Sequence, residues 1–244
     1  MSKIFEALQK AEKEKMPLNA KRPNKKNKTS LTNFNSDVRI TEELKNMKLY
    51  IRSKSGPNNI RTILFTSSIP GEGTSTILIN FAKEIAINGE SVIVVDTNLR
   101  NPTLHKLMNV ENIDGVAEII EERKPLIETI KKTDTENMQI ITQGKQSEGT
   151  ITGFSTNTIK PIIDELTSHA DWVLFDSPPI HTYSDAAILA NEVDGVIMVV
   201  QAEKTKWEVA QNARDNITKG KAKILGAILN KKQFHIPALL YKFI

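Results

Sequence analysis

Apolar runs of strand length alternate along most of this chain with stretches in which apolar residues recur every three or four positions. The short runs stand at Thr62 to Thr66, Ser91 to Val95, Met138 to Ile141, Asp171 to Phe175, Gly195 to Val200 and Lys223 to Leu229. Helical spacing marks Glu42 to Ile51, Thr76 to Asn88, Leu104 to Met108, Gly115 to Glu122, Thr158 to His169, Ser184 to Asn191 and Lys206 to Lys219. Strands buried on both faces read as unbroken apolar runs, and their alternation with helices builds a mostly parallel sheet with helices on both faces. The pattern therefore predicts an α/β fold, without internal repeats.

The first of these runs leads into Ser67-Ser68-Ile69-Pro70-Gly71-Glu72-Gly73-Thr74-Ser75-Thr76 and then into a helix stopped by Asn88-Gly89. Strand, glycine-bearing loop and helix form the setting of a phosphate-binding P-loop, where backbone N–H groups and the helix N-terminus face the phosphates. In the pattern G-x-x-x-x-G-K-[ST] the lysine reaches the β/γ-phosphates and the hydroxyl holds Mg²⁺. Gly73 and Ser75 occupy the second glycine and hydroxyl positions, whereas Ser68 stands at the first glycine and Thr74 at the lysine. The candidate nucleotide contacts are Gly71, Glu72, Gly73, Thr74, Ser75 and Thr76, with one positive charge missing.

Two other runs end in carboxylates, at Asp96 and at Asp176. Acids leaving the carboxyl ends of parallel strands lie beside the nucleotide in open α/β sheets, where one can coordinate Mg²⁺ or its waters and the other orient the attacking group. Asp96 and Asp176 are thus the candidate catalytic pair and, with Ser75, the candidate metal ligands. Read singly, each could also serve only to cap a following helix or turn. His105 and His181 have no metal-ligand company in the sequence, and Ser184-Asp185 opens a helix, so capping is their first reading.

These segments resemble the Walker A, Walker A′ and Walker B motifs of the bacterial protein-tyrosine kinase (BY-kinase) family, P-loop NTPases of capsule and exopolysaccharide synthesis. That family reads P-G-E-G-K-[ST]-T, D-x-D-L-R-x-P and D-[ST]-P-P. This chain reads Pro70-Gly71-Glu72-Gly73-Thr74-Ser75-Thr76, Asp96-Thr97-Asn98-Leu99-Arg100-Asn101-Pro102 and Asp176-Ser177-Pro178-Pro179. The similarity extends over about Thr41 to Asn230. It implies ATP and Mg²⁺ as cofactors, Asn230 near the adenine, and a membrane polysaccharide co-polymerase, the chain-length regulator, as partner. It also implies ring assembly through the helix bearing Glu42, Glu43, Lys45 and Lys48, where the family has arginines in place of the lysines. Without the resemblance that helix reads as an amphipathic surface helix. Three departures bear on catalysis: Thr74 for lysine, Asn98 for the second aspartate, and a tail after Phe234 with Tyr241 as its single tyrosine where family kinases carry a cluster.

Charge divides the chain further. The net charge of the 244 residues is +4, yet residues 1–36 alone carry +6 and the remainder −2. Ile4, Phe5, Leu8 and Ala11 form a narrow apolar stripe that predicts a docking helix over residues 1–16, too short to be stable alone. Residues 17–38 read as a basic flexible linker, and 39–244 as the P-loop domain. Anionic lipid, nucleic acid or an acidic protein tail could each take the arm. No aromatic interleaves Lys21 to Lys28, which leaves base stacking without a platform and gives no specific nucleic-acid signal. The chain has no cysteine, and no apolar run reaches the ~18 residues of a membrane span. The expectation is a cytoplasmic protein, peripheral at the inner face of the plasma membrane through its partner. Function reads as a nucleotide-binding relative of the tyrosine kinases with impaired or absent autokinase activity. The alternatives are an active, divergent tyrosine autokinase using Mg-ATP and a partition or division-site type ATPase.

Overall fold

Parallel pairing of the apolar runs generates the core of the computed structural model, which describes residues 38–55, 59–147, 153–182 and 184–232. The first helix, α1 (Val38–Lys54), precedes β1 (Thr62–Ser67), α2 (Thr74–Ile87) and β2 (Val92–Asp96). Three short helices follow, α3 (Leu104–Met108), α4 (Val116–Ile120) and α5 (Leu126–Thr129), then β3 (Lys131–Lys132) and β4 (Met138–Ile141). The rest alternates strictly: α6 (Thr156–His169), β5 (Trp172–Asp176), α7 (Ser184–Glu192), β6 (Gly195–Gln201), α8 (Trp207–Thr218) and β7 (Ile224–Asn230). The docking helix expected over 1–16 and the linker 17–38 lie outside the described residues, apart from Val38, which opens α1.

The strands form one seven-stranded sheet in the order β3-β4-β2-β5-β1-β6-β7. Every neighbouring pair is parallel except β3–β4. Period-two alternation along buried strands sends side chains to both faces. In β1, Leu64 faces a layer with Ile159, Leu166 and Ala213 of α6 and α8, whereas Ile63 and Phe65 face Leu78 and Phe81 of α2. On the α2 face the rings of Phe65 and Phe81 lie 5.9 Å apart, and Phe81 meets Trp172 edge-on at 6.1 Å. Each such fully buried large side chain contributes roughly 1.5–3 kcal/mol, so both layers are needed to hold the sheet. Leu44 and Ile51 of α1 pack into the α2 layer, which makes α1 part of the domain.

Register sets the site. Phe65 of β1 pairs with Asp176 of β5, and Asp96 of β2 pairs with the same Asp176. Because β5 lies between β1 and β2, the loop leaving β1 and the two strand-end aspartates emerge together on one edge of the sheet.

Candidate functional site: a P-loop beside paired aspartates

Between β1 and α2 the chain turns through two left-handed glycines, Gly71 (φ 83°) and Gly73 (φ 93°). Only glycine adopts such angles without strain. At Gly73 a second reason applies, since a Cβ there would strike Asn230 Nδ2 at the end of β7. Gly73 caps α2, and its carbonyl accepts from Ile77 N at 3.0 Å, so the helix begins immediately beneath the loop.

Glu72 braces this loop from within. Its carboxylate is fully buried and accepts from Ser68 N (2.6 Å) and Ile69 N (3.0 Å) through one oxygen. The other oxygen accepts from Gln201 N at 2.9 Å and from the Thr205 hydroxyl, which ties the loop to the end of β6. Asn230 Nδ2 donates to the Glu72 carbonyl at 2.8 Å, and Lys231 Nζ to the Gly71 carbonyl at 2.6 Å. The side chain of Glu72, expected among the nucleotide contacts, therefore faces the protein.

Asp96 and Asp176 stand side by side in register, and both are buried. Asp96 accepts from the backbone of Asn98 (3.2 Å), Thr103 (3.2 Å) and Leu104 (3.1 Å), which gives it the capping role for α3 as well. Burial outweighs these bonds and pushes its carboxyl up to about 7. Asp176 is held well above the usual carboxylate range, first by burial and then by the charge of Asp96, against one favourable bond from Ser75. That bond runs from Ser75 Oγ to Asp176 Oδ2 at 2.6 Å, and Thr103 Oγ1 lies 2.9 Å from the same hydroxyl. Asp176 Oδ1 has no hydrogen-bond partner, nor do the buried hydroxyls of Thr74 and Ser68.

Above these groups opens a cavity of about 480 Å³ walled by the loop, by Asn98, Arg100 and Thr103, and by Ser177 to Pro179. The Ser177-Pro178-Pro179 turn is fixed to β1, with Ser177 N donating to Phe65 O at 3.1 Å and Thr66 Oγ1 to Pro178 O at 2.9 Å. A buried pair of like charges with an unpaired oxygen is costly alone and is relieved by a cation. The donor set is all oxygen, Ser75 Oγ with Asp96 and Asp176, which suits a hard divalent ion such as Mg²⁺. Among the described residues no cluster of three acidic, histidine or cysteine side chains forms a metal site on its own. His181 Nδ1 instead lies 2.8 Å from Asn216 Nδ2, and His105 stands outside any such cluster.

Fold and loop together define a P-loop NTPase. Residues 59–241 match the ParA family, described as "NUBPL iron-transfer P-loop NTPase". The tyrosine-protein kinase YwqD of Bacillus subtilis (strain 168) is 30% identical over 193 residues, covering 79% of this chain and 81% of that protein. The crystal structure of the chimerical protein CapA2B2 superposes with a TM-score of 0.71 at 25% identity, over 79% of this chain and 85% of the other. The kinase domain of the Escherichia coli tyrosine kinase ETK gives a TM-score of 0.73 at 17% identity, over 97% and 91% of the two chains. The chain belongs to the ParA-like P-loop NTPases, in the family of the bacterial tyrosine-protein kinases.

The structure thus gathers Gly71, Gly73, Thr74, Ser75, Thr76, Asp96, Asp176 and Asn230 at one edge of the sheet. Sequence reasoning passed over Thr103 and Lys231. Thr103 carried no signal, being one hydroxyl in a turn, while Lys231 adjoins Asn230 and could have been noticed through it. Lys48, expected on the surface used for ring assembly, is instead engaged within the chain, in an ion pair with Glu90. Glu42, Glu43 and Lys45 are exposed.

Proposed function

We propose that this chain binds Mg-ATP at the Asp96–Asp176 site in exopolysaccharide or capsule synthesis, with tyrosine autokinase activity impaired or absent. The observation that carries the reading is the coexistence of an intact carboxylate–hydroxyl pair with a threonine where the loop's cation belongs. Ser75, Asp96 and Asp176 would hold Mg²⁺, and the ion would supply positive charge to the phosphates. The N–H groups of Gly71 to Thr76 and the start of α2 would bind the phosphates, Asp176 would orient the acceptor hydroxyl, and Pro178-Pro179 would limit water at the cavity wall. Thr74 lines the cavity without bringing a charge to it, so ground-state binding is retained better than transfer.

The partner in this reading is a membrane polysaccharide co-polymerase, reached by the docking helix 1–16 on its linker. This places the protein at the inner face of the plasma membrane, and no helix among the described residues is long and apolar enough to cross it. Calorimetric titration with ATP, with and without Mg²⁺, and an autophosphorylation assay on the purified chain test the proposal. Wild type is expected to bind ATP weakly and to show feeble or undetectable phosphotyrosine, and Thr74→Lys to tighten ATP binding. Wild-type tyrosine autophosphorylation at the rate of Thr74→Lys would show that the chain is an active kinase.

A further inference from the structure

The loop that lacks a cation at position 74 is touched by one from another part of the chain. Lys231 follows β7, and its ammonium donates to the carbonyl of Gly71 at 2.6 Å. Its stem runs along the loop's rim, where Cε lies 3.7 Å from the point a Cβ of Gly73 would occupy. The backbone is set for this approach. Lys231 adopts φ 56°, a left-handed conformation that is costly for a residue with a long side chain. Its N–H donates to Asn230 Oδ1 at 2.8 Å, while Asn230 Nδ2 donates to the carbonyl of Glu72 at 2.8 Å. Lys231 is therefore tied to the loop twice, directly through its ammonium on Gly71 and indirectly through the Asn230 side chain, which accepts from its N–H and donates to Glu72.

We infer that Lys231 supplies the positive charge for the nucleotide's phosphates that position 74 does not. This rests on the nucleotide-binding reading above and goes beyond it by naming the residue on which affinity depends. An ammonium has three N–H donors. One is used on Gly71, which leaves two for phosphate oxygens at the mouth of the cavity that Gly71 and Gly73 line. A flexible four-carbon stem allows the head to move a few ångströms while its backbone stays tied to the loop. The same charge delivered from the end of β7 meets the phosphates from the rim of the loop, whereas a lysine at position 74 would arise within the first turn of α2. Binding is retained in this way without placing a cation where the γ-phosphoryl must travel.

The experiment measures affinity for ATP, ADP, AMP and adenosine with Mg²⁺, for wild type, Lys231→Met, Lys231→Arg, Thr74→Lys and the double variant Lys231→Met/Thr74→Lys. Met keeps the apolar stem and loses the charge. Lys231→Met should weaken ATP by about ten- to hundred-fold, the range expected for one charge-assisted hydrogen bond. ADP should weaken less, and AMP and adenosine little. Lys231→Arg should retain most of the affinity, and Thr74→Lys should gain more in the Lys231→Met background than in wild type. Equal weakening of all four ligands, or unchanged ATP affinity whatever happens to the melting temperature, would overturn the inference; a lowered melting temperature with unchanged affinity would leave Lys231 as a loop strap. Folded wild type that binds no nucleotide would overturn the underlying reading as well.

Discussion

The two ends of the β2–β5 strand pair hold carboxylates in opposite ways. At the amino end Glu90 is met by its own cations: Lys48 and Arg52 of α1 pair with it, the latter at 2.5 Å, and Trp172 Nε1 donates at 2.7 Å. Burial raises its carboxyl, but the bonds from Lys48, Trp172 and Arg52 prevail and hold it below its ordinary value. Arg52 also covers the Trp172 ring, 4.3 Å from its centroid. At the carboxyl end Asp96 and Asp176 stand in register, bonded by backbone N–H groups and by the Ser75 hydroxyl, and both carboxyls are pushed up. The same two strands thus finish one end as structure and leave the other incomplete without a ligand. A carboxylate that brings its donors stabilises the fold, and one left short of them is retained for what it binds.

Glu72 offers the sharpest break in that comparison, since it lies at the carboxyl end yet is satisfied like Glu90. Glu72→Ala would strand the N–H groups of Ser68, Ile69 and Gln201 together with the Thr205 hydroxyl. At roughly 1–3 kcal/mol for each unsatisfied buried group, and with part of the loss recovered by water, a cost of about 3–5 kcal/mol is expected. Urea unfolding measures it, and a loss under about 1 kcal/mol would show that the loop does not depend on this brace.

Asp176→Asn tests the unfinished end directly. It replaces a carboxyl that folding holds against ionisation with a neutral amide, so the nucleotide-free protein at neutral pH should become more stable by about 1–3 kcal/mol, as substitutions at strained functional sites commonly do. The same variant should lose the effect of Mg²⁺ on ATP affinity. Destabilisation in the absence of nucleotide would place Asp176 with the structural carboxylates.

How far this contrast could be read from sequence follows from distance along the chain. The strand-end aspartates were legible because each closes an apolar run, and parallel order brings such ends to one edge. Six of the seven strands follow from their apolar patterning in the same way. The seventh, Lys131–Lys132, is a two-residue polar edge strand held antiparallel to β4, with no periodicity to announce it. The Glu90 clamp was equally hidden, since it joins residues 48, 52, 90 and 172 and only the folded sheet makes them neighbours. For Lys48 this changes the picture. Read on its helix alone it belongs to an outward charged face, whereas its side chain is only 14% exposed and already paired.

Glu90→Gln should therefore cost stability without touching the nucleotide site. The amide keeps the shape but offers Lys48 and Arg52 no charge, and the partly exposed setting limits the loss to about 1–2 kcal/mol. ATP affinity should be unchanged, because the two ends of the strand pair share no hydrogen bond. A change in both would mean that the ends are coupled through β2 and β5, and the comparison would fail.

The smallest effect is the pH dependence of that same difference, and its sign is fixed by the direction of the shift. Glu90 has a folded-state value below its ordinary 4.5, so the unfolded chain takes up the proton first as pH falls. Its contribution is fully present above about 4.5 and is lost as pH drops through the lower folded-state value. The gap in unfolding free energy between wild type and Glu90→Gln should accordingly be constant from neutral pH down to about 5 and then close towards pH 3. Asp171 shares the sign, lowered chiefly by its hydrogen bonds from the Ser91 hydroxyl and N–H, but it is intact in both proteins and cancels from the gap. Asp96 and Asp176 have the opposite sign and likewise cancel, so the difference between wild type and Glu90→Gln isolates Glu90 where a single acid-denaturation curve would not. A gap that widens on acidification would mean that protonated Glu90 is the better partner for Trp172 and the α1 cations, contrary to the charge-paired clamp.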